Sequence, residues 1–227
     1  MKRPVAMLVT GGERLLGSGQ PSENVVRDVI SLAVAWAKAG VDIVQIREAW
    51  LSDRGLVELV RLTVDRLSSF DTKVIVNDRP DIALSANADG IHLKDEPLAI
   101  ERVRPYWPRD WLVGRSVHDV NGVNEIRGTE YIDYILAGTV KSTPSKPGRT
   151  TLGFHGLKKI AAATEIPVLG IGGLEFTDSL NVAKTTASGV AGVRLFMNGA
   201  KLSDEERSRQ VEQCRHVFDS NMQKFER

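Results

Sequence analysis

Short apolar runs recur along the chain at residues 5–9, 43–46, 74–76, 91–93, 112–114, 134–136, 168–171 and 190–193. They lack the polar alternation of a half-exposed strand. Each therefore reads as a strand covered on both faces, as in a parallel sheet. Helical stripes stand between them. Val26, Val29, Ile30, Ala33, Val34 and Ala37 share one face of a predicted helix over residues 25–38, and Gly40 follows where a C-terminal cap belongs. Leu56, Leu59, Val60, Thr63, Val64 and Leu67 form a second stripe, with Ser52 as its N-cap. Residues 157–163, 180–184 and 203–225 supply three more helices. The last is highly charged and is expected to pack on the outside. Between residues 77 and 130 the runs start only about 20 residues apart, so helices there must be short.

Eight runs in 227 residues leave about 28 per unit, which suits a strand plus a helix. No linker divides them. The Pro/Gly/Ser-rich stretch 141–149 is short and basic, and it follows directly on the sixth run. In a parallel barrel that is the catalytic mouth. The expected fold is an α/β (β/α)8 TIM barrel, a single domain over residues 1–227. An open doubly wound sheet is the rival. It needs fewer strands and usually a glycine-rich first turn that opens a helix, and Thr10-Gly11-Gly12 is not followed at once by one.

Composition narrows the function. Apolar residues make up 42% and charged residues 26%, the balance of a chain that buries a proper core. Thirty basic side chains against 29 acidic ones leave +1, so nothing global attracts nucleic acid or an acidic membrane. Any anion site must be local. No apolar run approaches the ~20 residues of a membrane span, and the stretch 5–9 is too brief for a secretory signal. The single Cys214 excludes an internal disulfide and any multi-cysteine metal site. A reducing, cytoplasmic setting is expected. No two histidines stand at metal-ligand spacing, so zinc is not.

The strand ends carry the candidate chemistry. The second ends in Gln45-Ile46-Arg47, the third in Asn77-Asp78-Arg79, and the fourth gives His92 and Lys94-Asp95-Glu96. The fifth gives Ser116 and His118, the sixth Thr143, Ser145 and Lys146, the seventh Gly172-Gly173, and the eighth Val193-Arg194. Arginines, a lysine and hydroxyls suit a polyanion, because they offer charge-assisted hydrogen bonds without proton transfer. The glycine pair lets backbone N–H groups approach a phosphate, and loops after strands seven and eight are the usual phosphate site of this fold. His92 and His118 read as hydrogen-bonded structural side chains. Cys214 lies in the last helix, away from the mouth.

Taken in order, Gln45-x-Arg47, Asn77-Asp78-Arg79-Pro80-Asp81-Ile82-Ala83, Ala88-Asp89-Gly90-Ile91-His92-Leu93, Gly114-x-Ser116-x-His118, Thr143-x-Ser145-Lys146-Pro147, Gly170-Ile171-Gly172-Gly173 and Gly189-Val190-Ala191-Gly192-Val193 resemble the thiamine phosphate synthase family, which also contains thiazole tautomerases. The resemblance runs from about residue 5 to residue 200. It implies a (β/α)8 barrel, often a homodimer. It implies a Mg2+-dependent joining of hydroxymethylpyrimidine diphosphate to thiazole phosphate, with release of pyrophosphate. Gln45 would then face the pyrimidine. Arg47 and Lys146, the expected catalytic cations, would hold the diphosphate with Asn77 and Ser116. Asp78 would bind Mg2+. Thr143 and Ser145 would serve the thiazole end, and Gly173 with the backbone near Val193 its phosphate.

Three positions depart from that pattern. Ala49 stands where the synthases have a lysine, Pro97 where they have a second metal ligand, and Arg194 where they have a serine. Asp95 or Glu96 is the candidate replacement metal ligand, and Lys94, Lys141 or Arg149 the replacement charge. Arg194 adds a fork of donors that a serine lacks. An unreplaced charged contact costs about 1.5–3 kcal/mol. The alternatives are therefore a tautomerase-like isomerase and a non-catalytic phosphate-ligand binder of the same family. The tautomerases carry a catalytic histidine where this chain has Thr139.

Overall fold

The computed structural model describes residues 5–12, 23–94, 100–143, 148, 150–197 and 201–225. Eight strands, β1 (Ala6–Val9), β2 (Ile43–Ile46), β3 (Lys73–Asn77), β4 (Gly90–Leu93), β5 (Leu112–Val117), β6 (Tyr134–Gly138), β7 (Val168–Ile171) and β8 (Gly189–Gly192), pair in sequence order. All pairings are parallel, and β8 returns to β1 to close the barrel. The open-sheet alternative is thereby excluded. The intervening helices are α1 (Glu23–Lys38), α2 (Asp53–Leu67), α3 (Pro80–Ser85), α4 (Ile100–Val103), α5 (Val120–Glu125), α6 (Gly153–Ala162), α7 (Ser179–Ala183) and α8 (Arg194–Met197), followed by α9 (Asp204–Phe225). Among its described residues the crowded interval indeed holds short helices, α-helices of four to six residues and a 3-10 turn of three. Ser52 caps α2 by accepting the N–H of Gly55, and Gly40 ends α1 at φ 90°. No helix among the described residues is long and apolar enough to cross a membrane.

Strand side chains alternate between the barrel interior and the helix layer. Inside lie Met7, Val9, Ile43, Ile75, Leu112, Tyr134, Leu136, Leu169 and Ala191. Their odd-and-even partners, such as Leu8, Val44, Val76, Ile91, Val113, Ile135 and Val190, pack under the helices. The same parity carries polar residues inward one step further along. Gln45 follows Ile43, Asn77 follows Ile75, and Ser116 stands two steps beyond Gly114, so all three finish at the C-terminal mouth.

The opposite pole is braced by Asp42. Its Oδ2 accepts the N–H groups of Val5 and Ala6, each at 2.9 Å, and its Oδ1 pairs with Arg215 of α9 at 2.7 Å. Helix α9 covers α1 and α7 and buries Val211, Cys214 and Phe218. Burial pushes the Cys214 thiol up, away from reactive thiolate.

Candidate active site

The mouth opens into a cavity of about 690 Å³ lined by Gln45, Arg47, Asn77, His92, Ser116, His118, Thr139, Thr143, Gly172, Gly173, Val193 and Arg194, among others. Residues from all strands but β1 thus contribute polar or glycine positions to one space. Asp78 stands at the end of β3 at φ 57°, with its N–H donated to the carbonyl of His92 at 2.8 Å. Its carboxylate pairs with Lys94, Nζ to Oδ2 at 2.5 Å, rather than lining the cavity. Ser145, Lys146, Asp95 and Glu96 lie outside the described residues, as do Pro97 and Arg149.

On the cavity floor, Gln45 is 2% exposed and donates from Nε2 to Asn77 Oδ1 at 2.9 Å. Its Oε1 is buried and has no partner among the described residues. A buried amide oxygen without a donor costs about 1–3 kcal/mol, so this acceptor is available to a ligand N–H. Arg47 is exposed at the rim, and Arg194 is half-buried. Neither has an ion-pair partner among the described residues, so Arg194 is not drawn off to a carboxylate of an outer helix. Lys141, by contrast, is committed to Asp178 at 2.8 Å and does not supply the missing rim charge. Arg79 is committed to Asp53 and Asp81, at 2.7 and 2.6 Å.

Gly172 and Gly173 lie at φ 100° and 68°. A Cβ on Gly173 would sit 2.7 Å from the carbonyl oxygens of both Lys141 and Ser142, and one on Gly172 would sit 2.6 Å from Thr139 Cγ2. Only glycine lets the loop after β7 close against the loop after β6. The chain then enters a 3-10 turn, Phe176–Asp178, fixed by a capping box between Glu175 and Asp178.

His92 is 2% exposed beneath the mouth. Its Nδ1 meets Tyr134 Oη at 3.0 Å and its Nε2 meets Ser116 Oγ at 2.9 Å. Burial lowers its pKa to about 3, outweighing the nearby Asp78 carboxylate that raises it, so the ring is neutral at pH 7. This sets an expected pH dependence. Between about pH 6.5 and 3 the unfolded imidazole binds a proton that the folded one refuses. Stability should therefore fall as pH falls, by at most about 1.4 kcal/mol per pH unit from this group. Urea midpoints at pH 6.5 and 4.5 would show it, and His92→Gln should flatten the slope.

Two lining residues carry no sequence signal. Leu202 and Gln210, from the connection to α9 and from α9 itself, reach the cavity although that helix is otherwise an outer layer. Glu48 is 2% exposed and accepts the N–H of Gly12 at 2.8 Å and Trp50 Nε1 at 2.6 Å, bracing the first loop against the second. His118 lines the cavity as well, with Nδ1 against the carbonyl of Gly138.

The sequence model of the thiamine monophosphate synthase family matches residues 19–196. The chain belongs to that family. Thiamine-phosphate synthase of Caldanaerobacter subterraneus subsp. tengcongensis is 34% identical over 168 residues, 74% of this chain and 76% of that protein. Thiamine-phosphate synthase of Thermosynechococcus vestitus is 34% identical over 189 residues, 83% of this chain and 52% of that longer protein. Among solved structures, thiamine phosphate pyrophosphorylase from Pyrococcus furiosus superposes with a TM-score of 0.77 at 24% identity, covering 95% of this chain and 97% of the other. That likeness supports the barrel fold.

Proposed function

We propose that this chain is a thiamine-phosphate synthase, which joins hydroxymethylpyrimidine diphosphate to thiazole phosphate and releases pyrophosphate. The observation that carries the reading is one cavity with two complementary ends. An acceptor unmatched among the described residues, Gln45 Oε1, lies on its floor, and Arg47 and Arg194, which have no ion-pair partner among the described residues, stand at its rim. The floor suits the amino group of a pyrimidine and the rim suits phosphates.

In the reaction the pyrimidine CH2–O bond breaks and its electron pair leaves with pyrophosphate. The thiazole nitrogen lone pair then forms the new C–N bond. No proton must move, which agrees with a neutral, buried His92. The protein's task is to take up charge on the leaving group and to exclude water. Arg47, Asn77 and Ser116, with Lys146, would grip the diphosphate. Thr143 and Ser145 would hold the thiazole, and its phosphate would rest on the Gly172-Gly173 loop beside Val193 and Arg194. The reading also implies a cytoplasmic enzyme and a homodimeric assembly.

The residues fit Mg2+ sparingly. Asp78 is a hard oxygen donor, and its pairing with the Lys94 ammonium supports a position that takes a cation. Mg2+ usually relies on one or two carboxylates plus substrate phosphates, so Asp78 would hold it once a diphosphate supplies oxygens, with Asp95 or Glu96 contributing. When bound, the ion would neutralise charge on the leaving pyrophosphate. Lys94 is 61% exposed and competes for the same carboxylate. Lys94→Ala should therefore tighten Mg2+ binding in the presence of pyrophosphate by up to about fivefold, the scale of a surface ion pair. Calorimetric titration checks this, and Asp78→Asn should weaken the same binding.

The floor contact gives the experiment for the reading. The wild-type protein should bind the aminopyrimidine diphosphate about tenfold or more tightly than an analogue without the amino group, because Gln45 Oε1 is otherwise left unmatched. Gln45→Leu should level the two affinities. Equal affinities in the wild type would contradict the placement of the pyrimidine.

A further inference from the structure

Ser116 is one of the polar groups at the mouth, and its hydroxyl can either give or take a hydrogen bond. The two choices place opposite partners in the cavity. The network behind it decides between them.

Three side chains lie in a row across three adjacent strands. Tyr134 of β6 is fully buried, with its ring stacked on His92 of β4 at 5.6 Å and its hydroxyl 3.0 Å from Nδ1. The other ring nitrogen, Nε2, is 2.9 Å from Ser116 Oγ of β5. Between His92 and Tyr134 in the sheet register stands Gly114. A Cβ there would lie 2.0 Å from Tyr134 Cζ and 2.3 Å from its Oη. The glycine is therefore what lets the tyrosine cross β5 and reach the histidine. No other hydrogen-bond partner of Tyr134 Oη or of Ser116 Oγ is found among the described residues.

A neutral imidazole carries one N–H and one lone pair. If the proton is on Nε2, the tyrosine O–H donates to Nδ1, Nε2–H donates to Ser116 Oγ, and every buried donor is satisfied. The serine O–H is then left for the cavity. If the proton is on Nδ1, that N–H donates to Tyr134 Oη and the serine O–H turns back to Nε2. The tyrosine O–H then remains buried and unmet. Leaving such a donor unmet disfavours the second state by roughly tenfold to a hundredfold. In the first state His92 Nε2–H occupies one of the two lone pairs of the serine oxygen, and the O–H is free to donate at the mouth.

We infer that Tyr134 and His92 are positioning residues that keep the Ser116 O–H free to donate into the cavity, favouring an acceptor ligand oxygen such as that of a diphosphate. His92 in this arrangement neither gives nor takes a proton during turnover. Tyr134 acts on the ligand from two residues away. The inference rests on the proposed function only for the identity of the ligand, since the tautomer is a property of the free protein.

The test has two arms. Protein labelled with 15N-histidine, its four histidines assigned with His92→Gln, should show His92 as the Nε2–H tautomer. Tyr134→Phe, which keeps the ring and its packing, should erase that preference and give a mixture. In the second arm, inorganic pyrophosphate is the probe. Tyr134→Phe should weaken its binding only about twofold, because about half of the protein keeps the competent tautomer, and Ser116→Ala about tenfold. The double variant should be no weaker than Ser116→Ala alone, because the tyrosine acts only through the serine hydroxyl. A merely structural tyrosine would give additive losses. An Nδ1–H tautomer in the wild type, or additive losses, overturns the inference. Should pyrophosphate fail to bind, the tautomer alone decides. Absence of thiamine phosphate synthesis beside an Nε2–H tautomer would count against the enzyme reading and leave this inference standing.

Discussion

Gly173→Ala is expected to lower thiamine phosphate synthesis by at least about a hundredfold while the barrel stays folded. Two penalties coincide at this residue. Its φ of 68° is one that a Cβ disfavours, at about 1–2 kcal/mol. The new Cβ would also meet two carbonyl oxygens, those of Lys141 and Ser142, at 2.7 Å. Both are backbone atoms and neither can swing aside as a side chain would. The loop after β7 must therefore back away from the loop after β6. A displacement of about 1 Å in a positioning element costs on the order of a hundredfold in rate. Gly128 supplies the control. It has φ 82° with nothing within 4 Å of the position a Cβ would take. Gly128→Ala should lose some stability and no activity. Initial rates and urea midpoints on the two variants check both halves.

The second large effect belongs to the rim cations. Each contact between an arginine and a phosphate is worth about 1.5–3 kcal/mol, so each Arg→Ala change should cost roughly tenfold to a hundredfold. The two should differ in kind. In the proposed reading Arg47, which lines the cavity with Gln45 and Asn77, would face the diphosphate, whose charge grows as the C–O bond breaks. Arg47→Ala should therefore act chiefly on kcat. Arg194, which lines the cavity with Gly173 and Val193, would face the thiazole phosphate, which keeps its charge throughout. Arg194→Ala should raise the KM for that substrate and leave kcat nearly unchanged. Steady-state kinetics with each substrate varied in turn separates them. An Arg47→Lys variant should recover only part of the loss, since an ammonium cannot make the paired contact.

Much of this site is legible in the sequence, for a definite physical reason. Strands covered on both faces leave unbroken apolar runs, and the residue just past each run falls at the mouth. Period-two alternation then turns Gln45, Asn77 and Ser116 inward together. The glycine pair after β7 is visible because only a residue without a Cβ survives that approach. What could not be read depends on register or chain path. The row Tyr134–His92–Ser116 exists because Gly114 aligns with His92 on one side and Tyr134 on the other, and register between strands is not written in either strand alone. The pairing of Asp78 with Lys94 depends on a backbone turn at φ 57°. Gln210 reaches the cavity from a helix whose charged composition marks it only as an outer one. Lys141 carries a charge in the right loop, and its commitment to Asp178 shows only in three dimensions.

As a proposed synthase, the protein must bind both substrates in one cavity and join them, despite Ala49 and Pro97. The most direct measurement incubates the purified protein with hydroxymethylpyrimidine diphosphate, thiazole phosphate and Mg2+ and follows thiamine phosphate by mass spectrometry. Thiamine phosphate and pyrophosphate are expected in equal amounts, with turnover only when both substrates are present and with its rate cut at least tenfold in Arg47→Ala. No thiamine phosphate from protein that demonstrably binds both substrates would overturn the synthase reading and leave a family member that holds these ligands without joining them.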